Sequence, residues 1–307
     1  MGSPEFDRAA IDLGHEVRRV AWRELLGRRF VNGAPSELQR AIMKAVDDFN
    51  PDLVFAQTHQ SEVVSTETYR ALRDNGAFVV NWCGDVREPL PECYARIAAE
   101  VDVMAFSNMT DVELIRDMGH RSEYLQIGYD PEIYHPGDGN QERRGIVFMA
   151  NNYEGRFPNT ELRKAVALRL KKEFPHDFTL YGSGWGLPGV RPTVNGEEEA
   201  DIYRSSLIAI NVDHFTRPYF ASDRILRAQA CGCSVWTLPC DNGVCAEHPN
   251  LRRCTAEGAG MDEMITSMRG SLDAPAGMVK NALKAAEHLQ QNHTWKNRIQ
   301  TMGSWMS

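Results

Sequence analysis

Short apolar runs alternate along this chain with longer segments in which apolar residues recur every three or four positions. The runs predict buried strands, and the recurring pattern predicts amphipathic helices. In Ser36–Phe49, for example, Leu38, Ile42 and Val46 share one helical face, and Ser36 is the expected N-cap. Strands that alternate with helices are typical of a parallel sheet covered by helices on both faces.

The alternation runs through both halves of the chain and predicts two sheets. In the first half we expect strands at 15–22, 52–56, 77–82, 101–106 and 124–127, and helices at 36–49, 65–75, 92–100 and 109–118. In the second half we expect strands at 146–150, 178–181, 207–212 and 234–238, and helices at 160–173, 197–205, 224–230, 260–272 and 276–307. The stretch 128–145 is rich in Gly, Pro and charge, which is the composition of a linker.

This organisation predicts an α/β fold of two Rossmann-like, doubly wound domains that face a cleft. We expect an N-terminal domain at 7–135, a C-terminal domain at 145–278, and a helical segment at 279–307 that packs back on the first domain. A doubly wound domain normally begins with a strand, a Gly-rich turn and a helix, but here a helix predicted at 8–13 comes first. The first strand is therefore expected either to be missing from the domain or to lie outside this sequence, whose opening MGSPEF resembles an expression tag.

Composition narrows the possible environments and partners. A formal net charge of −8 gives no general attraction to nucleic acid or to an anionic membrane surface. No apolar run approaches the roughly 20 residues of a membrane span, and no signal-peptide pattern opens the chain. The seven cysteines, five of them at positions 231, 233, 240, 245 and 254, lack the paired spacing of zinc sites and show no disulfide framework. We therefore expect a cytoplasmic protein with reduced, mostly buried thiols.

Two loops of the second half follow predicted strands and carry candidate ligand-binding residues. Ligands of open parallel sheets bind at the carboxyl ends of the strands. Asn152 and Arg156 follow the strand at 146–150, just before a helix whose N-terminal N–H groups can bind a phosphate, although an ordinary surface loop is equally compatible with this pattern. Gly182, Ser183 and Trp185 follow the next strand, where the glycine gives a base or ribose close access to the backbone and the indole offers a hydrophobic wall.

A third loop surrounds the start of the helix predicted at 224–230. It holds Arg217, Ser222, Asp223 and Arg224, so that guanidinium groups, a hydroxyl and a helix N-terminus converge where a diphosphate could bind. Ser222 or Asp223 also fits the simpler role of N-cap. The segment GWGLPG at 184–189 matches G-x-G-x-x-G, but the prolines that follow prevent a helix from starting there, which argues against a dinucleotide site.

Two residues of the first half are candidates for acid–base chemistry. His59 follows the strand predicted at 52–56, and Asp85 follows the neighbouring strand at 77–82. Because both positions lie at strand ends, the two side chains are expected at one rim, where either could deprotonate a hydroxyl group. An ordinary surface role is the simpler alternative for each. The sequence contains no D-x-D triplet of the kind that chelates a metal, no P-loop and no G-x-S-x-G segment of a hydrolase.

Four segments, in this order, carry a resemblance to a known family: NNYEGR at 151–156, YGSGW at 181–185, S-x-R-x5-A-C-G at 222–232 and HTWKNR at 293–298. With NWCGD at 81–85, they resemble two-domain glycosyltransferases of the GT-B fold, and among them the spore-maturation CgeB-like proteins. The resemblance implies a nucleotide sugar bound mainly by the second domain, near Arg156, Gly182, Trp185, Ser222 and Arg224. It also implies an acceptor bound by the first domain. Many relatives place a Glu that holds the donor ribose where Arg227 stands here.

The leading interpretation is a glycosyltransferase that moves a sugar from a nucleoside diphosphate to an acceptor hydroxyl. The resemblance implies that basic side chains and a helix N-terminus stabilise the departing diphosphate, so we expect no metal site and no required cofactor. A non-catalytic binder of nucleotide sugars or carbohydrates is the first alternative, because Arg227 replaces the expected Glu. A phage-type enzyme that glycosylates a hydroxylated DNA base is the second, and the acidic composition counts against it. The sequence does not decide whether the acceptor is a glycan, a protein or a modified DNA base.

Overall fold

The structure is a computed structural model that describes residues 4–27, 33–58, 63–138, 141–238, 243, 248, 250–255 and 258–307. The chain divides into two compact units, one made of Met1–Ile127 with Trp295–Ser307 and the other of Gly128–Thr294. None of the helices within the described ranges combines the length and the apolar character that crossing a membrane requires.

The first unit is a parallel sheet with helices packed on it. Its strands, in sheet order, are β1 (Leu53–Gln57), β2 (Phe78–Cys83), β3 (Val103–Phe106) and β4 (Ser122–Tyr124). Its helices are α1 (Pro4–Asp12), α2 (Trp22–Leu25), α3 (Ser36–Phe49), α4 (Thr66–Asp74), α5 (Cys93–Ala98), α6 (Met109–Asp117) and α12 (Trp295–Ser304). Neighbouring strands pair in parallel, with Leu53 opposite Phe78 and Val80 opposite Val103. One apolar cluster forms under α3 to α6, and a second forms under α1 and α12.

The second unit contains a five-stranded parallel sheet. Its strands are β5 (Arg144–Met149), β6 (Phe178–Tyr181), β7 (Ser206–Asn211), β8 (Ser234–Thr237) and β9 (Arg252–Arg253), in the order β6-β5-β7-β8-β9. Its helices are α7 (Thr160–Glu173), α8 (Glu197–Ser205), α9 (Asp223–Ala230), α10 (Gly260–Asp273) and α11 (Ala276–Asn292). The sequence order of β5 to β7 differs from the spatial order, which places β5 between β6 and β7. This arrangement is the crossover that doubly wound sheets use to form ligand sites.

Most predicted elements are present within a few residues, and three expectations are wrong. The segment 15–20 is not a strand, and α2 occupies the end of the predicted range. Ser36 is the first residue of α3 rather than its N-cap, which is Pro35. The tail is not one helix, because His293 and Thr294 separate α11 from α12.

The units also have limits that differ from the expected domain boundaries. We expected the chain to pack on the first domain from residue 279 onward. In the structure, only Trp295–Ser307 of this segment belongs to the first unit. Helix α11 lies instead in the second unit, where it contacts α9 and β8. Its buried residues Ala282, Ala285 and Ala286 are small, so α11 can approach α9 closely. Helix α12 packs against α1 in the first unit, through side chains that include Trp295 and Ile299.

Candidate functional site at the carboxyl ends of β5 and β7

Two loops of the second unit meet because the strands that precede them are neighbours. Strands β5 and β7 pair in parallel, with Ile146 opposite Ile208, so their carboxyl ends lie at the same edge. The loops that follow are tied together by Asn159, whose backbone N–H donates to His214 O at 3.1 Å and whose side-chain amide donates to Asp213 O at 3.0 Å. The start of α7 is thereby held beside the loop that leads to α9.

An aromatic cluster joins these two loops. Phe157 packs on His214 with ring centroids 4.6 Å apart, and Tyr153 lies 5.2 Å from the same imidazole. Phe215 completes the cluster at 5.3 Å from Phe157. The guanidinium of Arg156 lies over the Phe157 ring at 5.6 Å, and this exposed arginine forms no ion pair within the described part of the chain. The cluster therefore offers an exposed aromatic side chain, Tyr153, beside a guanidinium group with free donors.

A buried arginine forms the base of the site. Arg163 in α7 is fully buried and donates to the carbonyl oxygens of Val212 and Asn151, the second at 2.8 Å. Burial, helped by the nearby charge of Arg224, lowers the pKa of Arg163 to about 9. At neutral pH the guanidinium stays charged, and it binds the backbone at the ends of both β5 and β7. Arg163 thus fixes the two loops in place and adds positive charge beneath them.

Asp213 and Arg224 are oppositely charged neighbours at the edge of this base. An oxygen of Asp213 lies 3.6 Å from the Arg224 guanidinium, which is beyond hydrogen-bond length. Asp213 is 5% exposed, and burial raises the pKa of its carboxyl group against the opposing effect of Arg224. The two charges are therefore close enough to attract each other, but the two groups are too far apart to form a hydrogen bond.

The first turn of α9 carries a partly open N-terminus. Ser222 has the extended backbone of an N-cap, but its hydroxyl donates to Asn211 Oδ1 at 2.9 Å and makes no cap hydrogen bond. Burial acts to raise the pKa of the Asp223 carboxyl group, but the charges of Arg227 and Arg224 and hydrogen bonds from backbone N–H groups outweigh it and keep this pKa below its usual value. The N-cap position expected for Ser222 is correct, and Asp223 supplies the interaction with the backbone.

Several buried polar atoms around this base have no hydrogen-bond partner among the described residues. They are the oxygens Asn152 Oδ1 and Asp213 Oδ1, and the nitrogens His214 Nδ1, Arg163 Nε and Arg224 Nε. Leaving such an atom unpaired costs about 1–3 kcal/mol, and native structures contain few of them. A concentration of both donors and acceptors at one sheet edge indicates a place where a polar ligand supplies the missing partners.

His214 is an imidazole held in its neutral form. Burial is the main cause, and the positive charges of Arg163 and Arg224 add to it, so that the pKa of His214 falls from 6.5 to about 3. At neutral pH the ring can therefore donate or accept a hydrogen bond without contributing positive charge. The cationic groups of the site are the arginines.

The loop after β6 has a structural role that the sequence did not reveal. Trp185 is 2% exposed, packs on Phe148 and donates from Nε1 to Ala150 O at 2.7 Å. Its ring therefore belongs to the core and is not a wall for a base, contrary to the expectation. A Cβ on Gly182 would lie 1.9 Å from the same carbonyl oxygen. This glycine therefore allows the neighbouring backbone at Ala150, and not a ligand, to approach closely.

Ser183 continues this close packing between loops. Its carbonyl oxygen accepts from Asn152 N at 2.8 Å, and its backbone N–H donates to Asn151 Oδ1 at 2.9 Å. The structure thus brings Ser183 and Asn152, two of the candidate residues, together through their backbones. The side-chain oxygen of Asn152 is buried here and has no hydrogen-bond partner among the described residues.

Arg227, which stands where the family resemblance implies a Glu, faces acidic partners within the unit. Its guanidinium lies 3.0 Å from Asp223 and 3.3 Å from Glu199, a carboxylate that also accepts from Tyr134 Oη at 2.8 Å. Burial raises the Glu199 pKa, while Arg227 opposes that rise. Arg227 thus neutralises a buried carboxylate, which explains why a basic residue is accommodated at this position. Arg217 lies in the loop between β7 and α9 and is partly exposed.

The two candidates of the first unit have different outcomes. Asp85 follows β2 as expected, is 59% exposed at its side chain and lies 3.2 Å from the Arg87 guanidinium. His59 lies outside the described residues. Within the described part of the chain, no group of three or more His, Cys, Asp and Glu side chains is arranged to hold a metal ion.

Three residues of the site were not singled out from the sequence: Arg163, Asp213 and His214. Asp213 and His214 come directly after the apolar run of β7, so the rule that selected other strand-end residues applies to them as well. Arg163 shares a helical face with Val166, Ala167 and Leu170, all of which are buried. An arginine on the apolar face of a helix is a signal that the sequence did contain.

Residues 161–304 match a family model described as "Glycosyl transferase-like", which covers a little under half of the chain. No curated protein matches the sequence significantly.

Solved structures match over nearly the full length. A glycosyltransferase from Rickettsia africae has a TM-score of 0.68 at 12% identity, covering 98% of this chain and 92% of that one. Anabaena HepE, solved with UDP-glucose, has a TM-score of 0.61 at 12% identity over 94% and 90% of the two chains. Sucrose-phosphate synthase from Thermosynechococcus elongatus also reaches 0.61, at 12% identity over 87% and 76%. The chain therefore has the GT-B type of α/β fold, with two Rossmann-like units, and its second half is similar to the glycosyl transferase-like family.

Proposed function

We propose that this protein is a glycosyltransferase that transfers a sugar from a nucleoside diphosphate to an acceptor hydroxyl, with the donor bound at the carboxyl ends of β5 and β7. The observation that carries the proposal is the concentration of unpartnered buried atoms there, of both hydrogen-bonding types. A nucleotide sugar offers the complementary set. Its phosphate oxygens accept from guanidinium and backbone N–H groups, and its hydroxyl groups donate to carboxylate and amide oxygens.

The positive charge of the site suits a diphosphate. Arg224 lies at the N-terminal end of α9, where the helix dipole adds to its charge. Arg163 is buried beneath the loops, and Arg156 is exposed beside them. His214 is neutral at neutral pH and adds no positive charge to the site. The arginines therefore have to balance the negative charge of the bound phosphates. A diphosphate placed at the start of α9 would complete the partners of Arg224 Nε.

The chemistry that follows is the breaking of the bond between the sugar carbon and the diphosphate oxygen. Negative charge grows on the departing diphosphate, and preorganised guanidinium and N–H donors stabilise that charge more strongly than they stabilise the intact donor. The acceptor hydroxyl loses its proton as its oxygen bonds to the sugar carbon. Asp85 and His59 are the residues of this chain that we assign to receiving that proton or to orienting the acceptor.

Several finer features belong to the same proposal. HepE was solved with UDP-glucose, so a uridine diphosphate hexose is the first donor to test. We further propose transfer without a bound metal or cofactor, membership of the CgeB-like group, and a cytoplasmic setting with reduced cysteines. The donor residues carried into the proposal are Asn152, Arg156, Arg217, Ser222, Asp223 and Arg224, joined by Arg163, Asp213 and His214.

The test is a measurement of nucleoside diphosphate release from a panel of nucleotide sugars, with and without simple hydroxyl acceptors and with EDTA present. We expect at least one donor to turn over. We expect Arg224→Gln to reduce turnover by about 10- to 100-fold, because a charge-assisted hydrogen bond contributes about 1.5–3 kcal/mol. Arg269→Gln is the matched control, since Arg269 is an exposed arginine of the same unit that pairs with Glu173.

The outcomes separate the candidate functions. A donor that raises the melting temperature without being turned over would favour the non-catalytic binder. Salt-dependent binding of DNA would favour the enzyme that modifies hydroxylated bases. If no nucleotide sugar binds or turns over, the proposal is wrong.

A further inference from the structure

Arg224, at the start of α9, interacts with two carboxylates. Asp213 lies 3.6 Å from its guanidinium group, and Asp223, the preceding residue in the first turn of the helix, is attracted to it as well. A phosphate group that bound Arg224 would come close to both of these negative charges. Like charges at such short distances repel each other strongly when bulk water is excluded. Other positive groups therefore have to balance the two carboxylates before an anion can bind.

Each of these carboxylates also interacts with a second guanidinium group. Asp213 is attracted by Arg163, which is fully buried. Asp223 pairs with Arg227, one turn further along α9, at a distance of 3.0 Å. Arg163 also binds backbone carbonyl oxygens, so a substitution there would disturb the loops themselves. Arg227 is therefore the balancing group whose charge can be tested on its own.

A buried anchor fixes the position of Arg227. Its guanidinium group lies 3.3 Å from the Glu199 carboxylate and 5.1 Å from the centre of the Tyr134 ring. Glu199 is itself buried and accepts a hydrogen bond from Tyr134 Oη at 2.8 Å. Arg227 is thus held against Asp223 before any ligand arrives, and binding does not have to order this side chain.

The charged groups around the start of α9 form one alternating row. In order, its members are Glu199, Arg227, Asp223, Arg224, Asp213 and Arg163. Three carboxylates and three guanidinium groups balance one another, so the row as a whole does not repel an anion. Without Arg227, three carboxylates would face two guanidinium groups, and negative charge would be in excess. An anion bound at the start of α9 would then lose affinity even if it never touched Arg227.

We propose that Arg227 is a positioning residue of the diphosphate site, which balances the charge of Asp223 and thereby lets a diphosphate bind Arg224. The inference rests on the function proposed above and adds to it a residue that acts through Asp223 rather than by contact with the ligand. A purely structural role, in which Arg227 only satisfies the buried Glu199, predicts a different pattern of affinities among double variants.

The test measures the dissociation constants of UDP, GDP and ADP by isothermal titration, with the full chain. Arg227→Gln is expected to weaken the tightest of these complexes by at least about 10-fold, which corresponds to about 1.4 kcal/mol. Arg227→Lys keeps the positive charge and should stay within about threefold of the native protein. Arg269→Gln removes an exposed arginine of the same unit and is the matched control, which should leave the affinity unchanged.

Two double variants separate the charge of Asp223 from the burial of Glu199. Arg227→Gln combined with Glu199→Gln removes the buried carboxylate that would otherwise lose its partner, so the melting temperature should recover while the loss of affinity persists. Arg227→Gln combined with Asp223→Asn removes the repelling charge. Its affinity should therefore lie within about threefold of that of Asp223→Asn alone.

The possible results distinguish the inference from the function on which it rests. If Arg224→Gln loses affinity and Arg227→Gln does not, the inference is overturned and the proposed function stands. The inference is also overturned if affinity recovers in the Glu199 double variant and not in the Asp223 one, since Arg227 would then serve only to pair with Glu199. If none of the three diphosphates binds the native protein, both the proposed function and the inference are wrong.

Discussion

Replacing His214 by glutamine should make the folded protein more resistant to acid. In the native state, burial and the charges of Arg163 and Arg224 lower the pKa of this imidazole from 6.5 to about 3. Between these two values the unfolded chain binds a proton at His214 and the folded chain does not. The free energy of unfolding therefore falls as the pH is lowered through this window, since stability rises with pH wherever the unfolded state binds more protons.

The magnitude follows from the same pKa difference. One pKa unit corresponds to about 1.4 kcal/mol, so acidification from neutral pH to about 4.5 removes up to about 2.7 kcal/mol through this one group. The ring is partly exposed, and solvent screening reduces the effect, so we expect about 1–2 kcal/mol. Glutamine does not titrate, and the variant should lose this part of the pH dependence while retaining a hydrogen-bonding side chain.

The assay compares urea unfolding of the native protein and His214→Gln at pH 7.5 and pH 4.5. At each pH we take the difference in the free energy of unfolding between the two proteins. The change in this difference from pH 7.5 to pH 4.5 reports on His214 alone, because all other titrating groups are common to both proteins. His176→Gln is the control, since His176 is an exposed histidine of the same unit. If both variants lose the same stability on acidification as the native protein, then His214 is not held neutral by its surroundings and our description of the site's electrostatics is wrong.

Three further substitutions test individual assignments. Trp185→Phe should lower the melting temperature by several degrees, because it removes the hydrogen bond to Ala150 O, yet it should leave the dissociation constant for a nucleoside diphosphate within about twofold, as isothermal titration can show. Gly184→Ala should destabilise the second unit by more than about 2 kcal/mol in urea unfolding, since the new Cβ would lie 1.8 Å from Asn152 O. Asp85→Asn should reduce the rate of sugar transfer by at least about 100-fold while donor affinity, measured separately, stays constant; unchanged transfer would remove Asp85 from catalysis.

Hydrophobic patterning was sufficient to predict most of the fold. Helices such as Thr160–Glu173 and Glu197–Ser205 were predicted to the residue, because their apolar faces and boundaries are both encoded locally. The segment 15–20 was not predicted correctly for the opposite reason. Its two valines suit a strand, but a strand forms only when another backbone pairs with it. That partner is a tertiary feature, which local sequence does not specify.

The residues of the site were predicted in part. The rule that ligands bind at strand ends selected the loops after β5 and β7, and the structure brings Asn152, Ser222 and Arg224 to one sheet edge. The glycines and Trp185 show the limit of this reasoning. A Gly-rich loop indicates that something approaches the backbone closely, and only the structure shows that a neighbouring loop, rather than a ligand, is what approaches.

The charges at the centre of the site depend on contacts that are distant in sequence. Arg163 reaches the carbonyl oxygen of Val212, 49 residues away, and Asp213 faces Arg224 across the start of α9. Arg227 could be read from the sequence as a departure from the resembling family, but its pairing with Glu199 could not. Side-chain pairs of this kind cannot be predicted from local sequence, because they form only when the fold brings β5 and β7 together.

The most direct test of the central claim is the dissociation constant of UDP, measured by isothermal titration for the native protein, Arg224→Gln and Arg269→Gln. We predict saturable binding to the native protein, a loss of about 10- to 100-fold in affinity for Arg224→Gln, and no change for the distant control. Equal affinity in all three proteins would show that the diphosphate does not bind at the start of α9, and would contradict the account.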